Sequence, residues 1–124
     1  MHIGLLEDDT SIQEMIRLVL QEEGYTVTVY PTAEECLSSL IPSDQAQQPR
    51  ALDLLIADWR LSGTLSGVEA IRQLRSSNTY KTLPIILTTA VSFVNIEELQ
   101  DLDVVLLEKP FAVDDIVNLI ASLT

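Results

Sequence analysis

The sequence has little that would suit a secreted or membrane-embedded protein. Its single cysteine, Cys36, cannot form a disulfide within the chain, so nothing indicates an oxidising compartment. No apolar run approaches the roughly 20 residues that a transmembrane helix needs. These absences exclude a disulfide-stapled secreted scaffold and a membrane-spanning helix, and we expect a cytoplasmic protein.

Positive charge is also scarce. The chain has 7 basic residues against 19 acidic ones, a formal net charge of -12. Because nucleic acids and anionic membranes are bound mainly through Lys and Arg, we expect direct binding to neither. The balance suits a partner with basic contacts or a divalent cation, although most of the carboxylates serve solubility. The length of 124 residues predicts a single domain, 1–124.

Short apolar runs alternate with helical periodicity along the whole chain. Gly24 can end the first helix, and the capping box from Thr32 to Glu35 can begin the second. The predicted strands are residues 2–6, 25–30, 52–57, 84–87 and 104–107. The predicted helices are centred on residues 12–20, 33–41, 68–74, 91–102 and 113–120, of which 91–102 is only weakly amphipathic.

This alternation is typical of an α/β protein whose parallel sheet is covered on both faces. With right-handed crossovers it predicts a three-layer αβα, doubly wound, flavodoxin-like fold with the five-stranded parallel sheet in the order 2-1-3-4-5. Ligands of such folds bind at the carboxyl ends of the strands that flank the switch point, here the first and third strands.

Carboxylates stand at those two strand ends. Glu7, Asp8 and Asp9 follow the first strand, and Asp58 ends the third. Converging carboxylates repel one another, and a hard cation with oxygen ligands such as Mg²⁺ neutralises them best. Helix capping explains Asp9 but not the other three. The sequence therefore predicts a magnesium site at this edge of the sheet.

Two further strand ends carry groups that would suit a phosphoryl ligand. Thr88 and Thr89 end the fourth strand, and Lys109 follows the fifth. Taken alone, each threonine is a turn residue and the lysine is a solvated charge. Beside a magnesium site they complete a set of groups that can hold a phosphoryl group. The metal and the ammonium neutralise its charge, and a hydroxyl donates a hydrogen bond to it.

In these residues the sequence resembles the receiver domain of two-component response regulators over its whole length. The resemblance is carried by LLEDD, DLLIAD, PIILTTA and EKPF, in the family's order and spacing. It implies a magnesium-dependent phosphoacceptor switch in phosphorelay signal transduction. Asp58 would take the phosphoryl group from a histidine kinase or a histidine phosphotransfer protein. Such a domain is not an enzyme beyond self-catalysed phosphotransfer and autodephosphorylation.

The resemblance also implies roles for the individual residues. Asp8 would be a direct Mg²⁺ ligand and Glu7 would act mostly through water, with Asp58 and the backbone carbonyl of Arg60 completing the metal set. Thr89 would donate to a phosphoryl oxygen, and Lys109 would pair with it. No organic cofactor is implied. The sequence names neither the kinase nor the output partner.

Several positions differ from the usual family pattern. The loop after Asp58 reaches Gly67 one residue later than usual and has Ser62 in place of a proline, so we expect it to be longer and less rigid. Leu106 stands where the fifth strand usually carries an aromatic residue. Because an aromatic switch is then unavailable, we expect phosphorylation to rearrange residues 90–102 instead.

Three other classes of protein fit the sequence less well. A magnesium-dependent phosphatase of the dehalogenase type needs a second aspartate two residues after its nucleophile, where this chain has Arg60. A flavodoxin needs a Ser/Thr-rich phosphate loop after the first strand, where this chain has carboxylates. A pseudo-receiver, which is an unphosphorylated interaction module, is disfavoured by the complete set Glu7, Asp8, Asp58, Thr89 and Lys109.

Overall fold

The structure is a computed structural model that describes residues 1–40, 52–59, 67–77, 79–89, 102–108 and 111–123. Within these ranges a single sheet has the strand order β2-β1-β3-β4-β5, and every neighbouring pair is parallel. The predicted fold and strand order are confirmed. The strands are β1 His2–Leu6, β2 Thr26–Tyr30, β3 Leu54–Asp58, β4 Ile85–Thr89 and β5 Val105–Glu108.

Four described helices cover the two faces of the sheet. They are α1 Thr10–Glu22, α2 Ala33–Leu40, α3 Gly67–Arg75 and α4 Val113–Leu123. Apolar residues of α1 and α4 pack with Ile3, Leu5 and Ile56 on one face, and those of α2 and α3 pack with Leu6, Leu55 and Leu87 on the other. This is the predicted three-layer arrangement. Apart from Leu102, the helix predicted at 91–102 lies outside the described residues, and so do the loop predicted at 42–50 and the part of the loop after Asp58 that covers residues 60–66.

The helix boundaries follow the local signals in the sequence. The Asp9 carboxylate accepts a hydrogen bond from the Ile12 N–H at 3.0 Å, which caps α1. The Thr32 hydroxyl likewise accepts from the Glu35 N–H at 3.1 Å at the start of α2. Gly24, just past α1, has a φ of 89°, a conformation that glycine adopts at little cost. No helix in the described ranges is both long enough and apolar enough to cross a membrane.

The strands β3, β4 and β5 begin and end later than predicted. Leu52 is buried but precedes β3, while β4 continues through both threonines to Thr89. None of the four residues of β5 is fully buried, and Leu106 is 39% exposed. The physical reason is position, since β5 is an edge strand and has a neighbour on one side only.

The guanidinium of Arg75, at the end of α3, binds three backbone carbonyls that precede strands. Nε donates to Leu102 O at 2.7 Å, Nη1 to Tyr80 O at 2.9 Å and Nη2 to Asp103 O at 3.0 Å. Asp103 has a φ of 52°, which costs free energy in a residue other than glycine. Arg75 therefore fixes the backbone that leads into β5.

We expect Arg75→Met to lower the free energy of unfolding by about 3 kcal/mol, because half-buried carbonyls lose charged donors. The matched control is Arg72→Met, which removes the same charge from an exposed position of the same helix. It should cost at most about 1 kcal/mol. Urea unfolding of both variants measures the difference, and equal losses would contradict the role assigned to Arg75.

A second stability prediction concerns the buried thiol. Burial raises the pKa of Cys36 from 9.0 to about 12, so the folded state favours the neutral thiol. The stabilisation that comes from this pKa shift is complete below about pH 9 and is lost as the pH rises towards about 12. The free energy of unfolding should fall by about 4 kcal/mol at most over this range. Urea unfolding across this range should therefore show a shallower loss of stability for Cys36→Ala than for the wild type. Parallel pH profiles would contradict the prediction.

Candidate metal site at the carboxyl edge of the sheet

The register of the sheet brings the predicted site residues to one edge. Leu6, which precedes Glu7, pairs with Ala57, which precedes Asp58. The pairing continues across β3 and β4, because Asp58 pairs with Thr88. Strand ends that are far apart in sequence are therefore neighbours, as expected for parallel strands around a switch point.

Three of the predicted carboxylates form a compact cluster. Glu7, Asp8 and Asp58 each present a carboxylate oxygen, and the three oxygens lie within 4.8 Å of one another. Glu7 and Asp58 are only 3% and 6% exposed, while Asp8 is exposed. At such separations two ionised carboxylates near a protein surface repel by roughly 3 kcal/mol. Such repulsion favours the binding of a cation at the cluster.

The turn from β1 into α1 holds Glu7 by both its main chain and its side chain. Its N–H donates to Tyr30 O at 3.2 Å, which extends the pairing of β1 with β2. Its Oε2 accepts from the N–H groups of Asp8 at 3.0 Å and Asp9 at 3.3 Å. One carboxylate oxygen of Glu7 is thus committed to the turn.

Asp58 is fixed by close packing of backbone against backbone. Gly67, the first residue of α3, lies so close that a Cβ added to it would be 2.0 Å from the Asp58 carbonyl oxygen. The Gly67 N–H donates to Trp59 O at 3.2 Å, and the Trp59 N–H donates to Thr88 O at 2.9 Å. The end of β3 is therefore held between β4 and the start of α3.

The two threonines of β4 are both buried but differ in their settings. The Thr88 hydroxyl donates to Ala57 O at 3.4 Å, a long bond within the sheet. Thr89 is the last residue of β4 and pairs with Glu108 at the end of β5. The predicted Thr89 is thus at the same edge as the carboxylates. Arg60 and Lys109, the remaining predicted site residues, lie outside the described part of the chain.

Asp9, the fourth carboxylate of the sequence prediction, is not part of the cluster. Its side chain caps α1, as the pattern indicated.

Two residues that contact the backbone of the cluster were not predicted from the sequence. Gly67 was noted only for its distance from Asp58, and its contact with the Asp58 backbone has no sequence signal. Gln13 was not singled out, although its Nε2 donates to the Glu7 carbonyl at 2.6 Å.

The donor set fits a magnesium ion. Three carboxylates that converge from two strand ends offer hard oxygen ligands, and Mg²⁺ is usually bound by one or two carboxylates with water completing its coordination. The set contains no thiolate or imidazole that would favour a softer metal. The exposure of Asp8 leaves a route to solvent for such an ion and its waters.

Comparison with known proteins gives concordant results. The response regulator receiver domain family matches residues 3–121. The phosphate regulon transcriptional regulatory protein PhoB of Rhizobium meliloti is 35% identical over 91 residues, which are 71% of this chain and 35% of that protein. The chain spans about a third of the length of this and similar curated relatives.

Two solved structures illustrate the structural similarity. The chemotaxis response regulator CheY4 of Vibrio cholerae has a TM-score of 0.84 at 22% identity, with 99% of this chain and 98% of that one covered. At this sequence identity the similarity indicates a shared fold only. The receiver domain of a sensor histidine kinase from Pseudomonas aeruginosa PAO1 has a TM-score of 0.79 at 27% identity, with 98% and 94% covered. That structure has a magnesium ion coordinated in its active site cleft.

The fold, the acidic edge and the match over nearly the whole chain define its class. The chain belongs to the response regulator receiver domain family, the phosphoacceptors of two-component signalling. Receiver domains accept phosphoryl groups from histidine kinases and act as switches rather than as ordinary enzymes. The cluster of Glu7, Asp8 and Asp58 is typical of the magnesium site of such domains.

Proposed function

We propose that Asp58 is the residue that accepts the phosphoryl group, in a reaction that requires Mg²⁺. The observation that carries the proposal is the carboxylate cluster, in which Asp58 is the member that ends a central strand and is nearly buried. Burial and the packing of Gly67 against its backbone hold this nucleophile in one position. Asp9 is engaged in capping α1 and is not a competitor.

The transfer needs no other reactant than a phosphohistidine or a small acyl phosphate. An oxygen of the Asp58 carboxylate forms a bond to phosphorus as the bond from phosphorus to the leaving group breaks. With phosphohistidine, the electron pair of that bond stays on the imidazole nitrogen. Later attack by water on phosphorus breaks the new bond, releases inorganic phosphate and restores the carboxylate.

The other residues of the edge stabilise the charge that this reaction moves. A bound Mg²⁺ would supply positive charge that screens nucleophile and phosphoryl group from each other. Asp8, one oxygen of Glu7 and the Arg60 carbonyl would hold it together with Asp58. The Thr89 hydroxyl would donate to a phosphoryl oxygen, and the Lys109 ammonium would pair with another.

The domain would then act as a timed switch, because an aspartyl phosphate hydrolyses. Its donor would be a histidine kinase or a histidine phosphotransfer protein, and its output an unidentified protein partner. The net charge of -12 supports an output by protein contact rather than direct binding of nucleic acid. Residues 1–124 would serve this role as one domain, in the cytoplasm.

Incubation with acetyl phosphate and Mg²⁺ tests the proposal. The wild type should gain the mass of one phosphoryl group, and Asp58→Asn should gain none because the amide is not a nucleophile. The matched control is Asp53→Asn, which makes the same change at the opposite edge of the sheet, where Asp53 accepts from the His2 N–H at 2.7 Å. This variant should gain the mass as the wild type does, and chelation of Mg²⁺ by EDTA should prevent the gain in both. A full gain by Asp58→Asn would show that the phosphoacceptor is another residue.

A further inference from the structure

We propose that Gln13 is a positioning residue for the metal site, acting through the peptide unit that joins Glu7 to Asp8. The inference rests on the proposed function, because it concerns the same Mg²⁺. Gln13 lies in the first turns of α1, is half-buried, and donates from Nε2 to the Glu7 carbonyl oxygen at 2.6 Å.

The peptide unit that joins Glu7 to Asp8 is hydrogen-bonded at both ends. Its carbonyl, on Glu7, accepts from the Gln13 side chain, and its N–H, on Asp8, donates to the Glu7 carboxylate at 3.0 Å. Hydrogen bonds at both ends fix the rotation of a peptide plane. That rotation sets the direction in which the Asp8 side chain leaves the backbone, and Asp8 is the exposed member of the cluster.

The backbone of Gln13 is fixed by the helix. The Gln13 N–H donates to Asp9 O at 2.9 Å, which begins the hydrogen bonding of α1, and the Asp9 carboxylate caps the same helix end. The Gln13 amide is therefore held against the turn by the helix rather than by a flexible loop.

The hydrogen bond from Gln13 to the Glu7 carbonyl has a function because the carboxylates of the cluster repel one another. Without a metal, the charges of Glu7 and Asp58 favour an outward rotation of Asp8, and the bond from Gln13 opposes that rotation. Loss of the donor should leave the fold intact, since the sheet and the cap of α1 do not depend on it. It should allow the metal-free site to open, so that Mg²⁺ must bind and reorganise it at the same time.

The test compares Mg²⁺ binding by the wild type with binding by Gln13→Met, which keeps an unbranched side chain of similar length but has no N–H to donate. The fluorescence of Trp59, the single tryptophan, reports binding beside Asp58. We expect the dissociation constant to rise by about tenfold, as for loss of an outer partner of a metal ligand. Gln21→Met, the same change at an exposed position of the same helix, should bind as the wild type does.

Two further readouts separate positioning from a purely structural role. At saturating Mg²⁺ the rate of phosphorylation by acetyl phosphate should return to the wild-type value, because the occupied site is the same. In the metal-free protein the Asp8 amide should exchange with solvent about fivefold faster in Gln13→Met, with the amides of β1 unchanged. If the methionine variant does not fold, Gln13→Asn replaces it, since it keeps an amide that is one methylene too short to reach Glu7.

The outcomes distinguish this inference from the function on which it rests. A raised dissociation constant with a normal rate at saturating Mg²⁺ supports it. A dissociation constant within about twofold of the wild-type value overturns it while the proposed function stands. A wild type that shows no response to Mg²⁺ overturns both.

Discussion

Gly67→Ala is expected to lower the free energy of unfolding by about 3 kcal/mol or more, and to impair phosphorylation at Asp58 in the molecules that still fold. The alanine Cβ would be 2.0 Å from the Asp58 carbonyl oxygen and 2.9 Å from its carbonyl carbon, distances at which one backbone must move. The start of α3 and the end of β3 would separate, and the nucleophile would move with its strand. Urea unfolding and the acetyl phosphate assay measure the two effects.

Gly24→Ala is the matched control for this substitution. Nothing lies within 4 Å of a Cβ at Gly24, so its cost comes from the φ of 89° alone, about 1 to 2 kcal/mol. Gly24 follows α1 at the end remote from Asp9 and the acidic cluster. This variant should lose stability but be phosphorylated normally. Normal stability and phosphorylation of Gly67→Ala would mean that the packing of α3 against Asp58 does not hold the site.

The second large effect is expected on metal binding. Asp8→Asn should raise the Mg²⁺ dissociation constant beyond the roughly 10- to 100-fold that loss of an outer partner causes, because it removes a charged ligand itself. Titration of Mg²⁺ against Trp59 fluorescence measures it. Asp8 suits a direct ligand because it belongs to the cluster and is exposed, while Glu7 has one oxygen committed to the turn.

Asp9→Asn is the control for the loss of one negative charge at this turn. Asn is as good a helix cap as Asp, so the bond from the Ile12 N–H can be kept and stability should change little. Most of the Mg²⁺ response should remain in this variant. A larger loss of Mg²⁺ binding in Asp9→Asn than in Asp8→Asn would reverse the assigned roles.

The fold and the acidic part of the site could be predicted from the sequence for one physical reason. Apart from β2, each strand is largely a short apolar run, and the polar residues that end or follow it mark the edge of the sheet. Parallel strands then bring their ends together, so Glu7, Asp8 and Asp58 were expected to meet before any distance was known. The cap at Asp9 could also be predicted, because it depends only on residues within one turn.

The contacts that could not be predicted connect side chains to the backbone of other elements. The bonds from Arg75 to the carbonyls before β4 and β5, and from Gln13 to Glu7, depend on how a helix is placed on the sheet. The close approach of Gly67 to the Asp58 backbone likewise depends on how α3 is placed on the sheet. The exposure of Leu106 could not be predicted, because the strand order places β5 at an edge without showing how much of the strand its neighbours cover. The rearrangement expected in 90–102 remains a prediction.

The position of the phosphoryl group is the most direct test of the account. After reaction with acetyl phosphate and Mg²⁺, reduction by borohydride converts an aspartyl phosphate to homoserine, and tandem mass spectrometry of the digested protein locates it. We expect homoserine at position 58 alone, and none when Mg²⁺ is chelated by EDTA. Homoserine at position 8 or 9, or a phosphoryl group that resists borohydride on a serine or threonine, would contradict it.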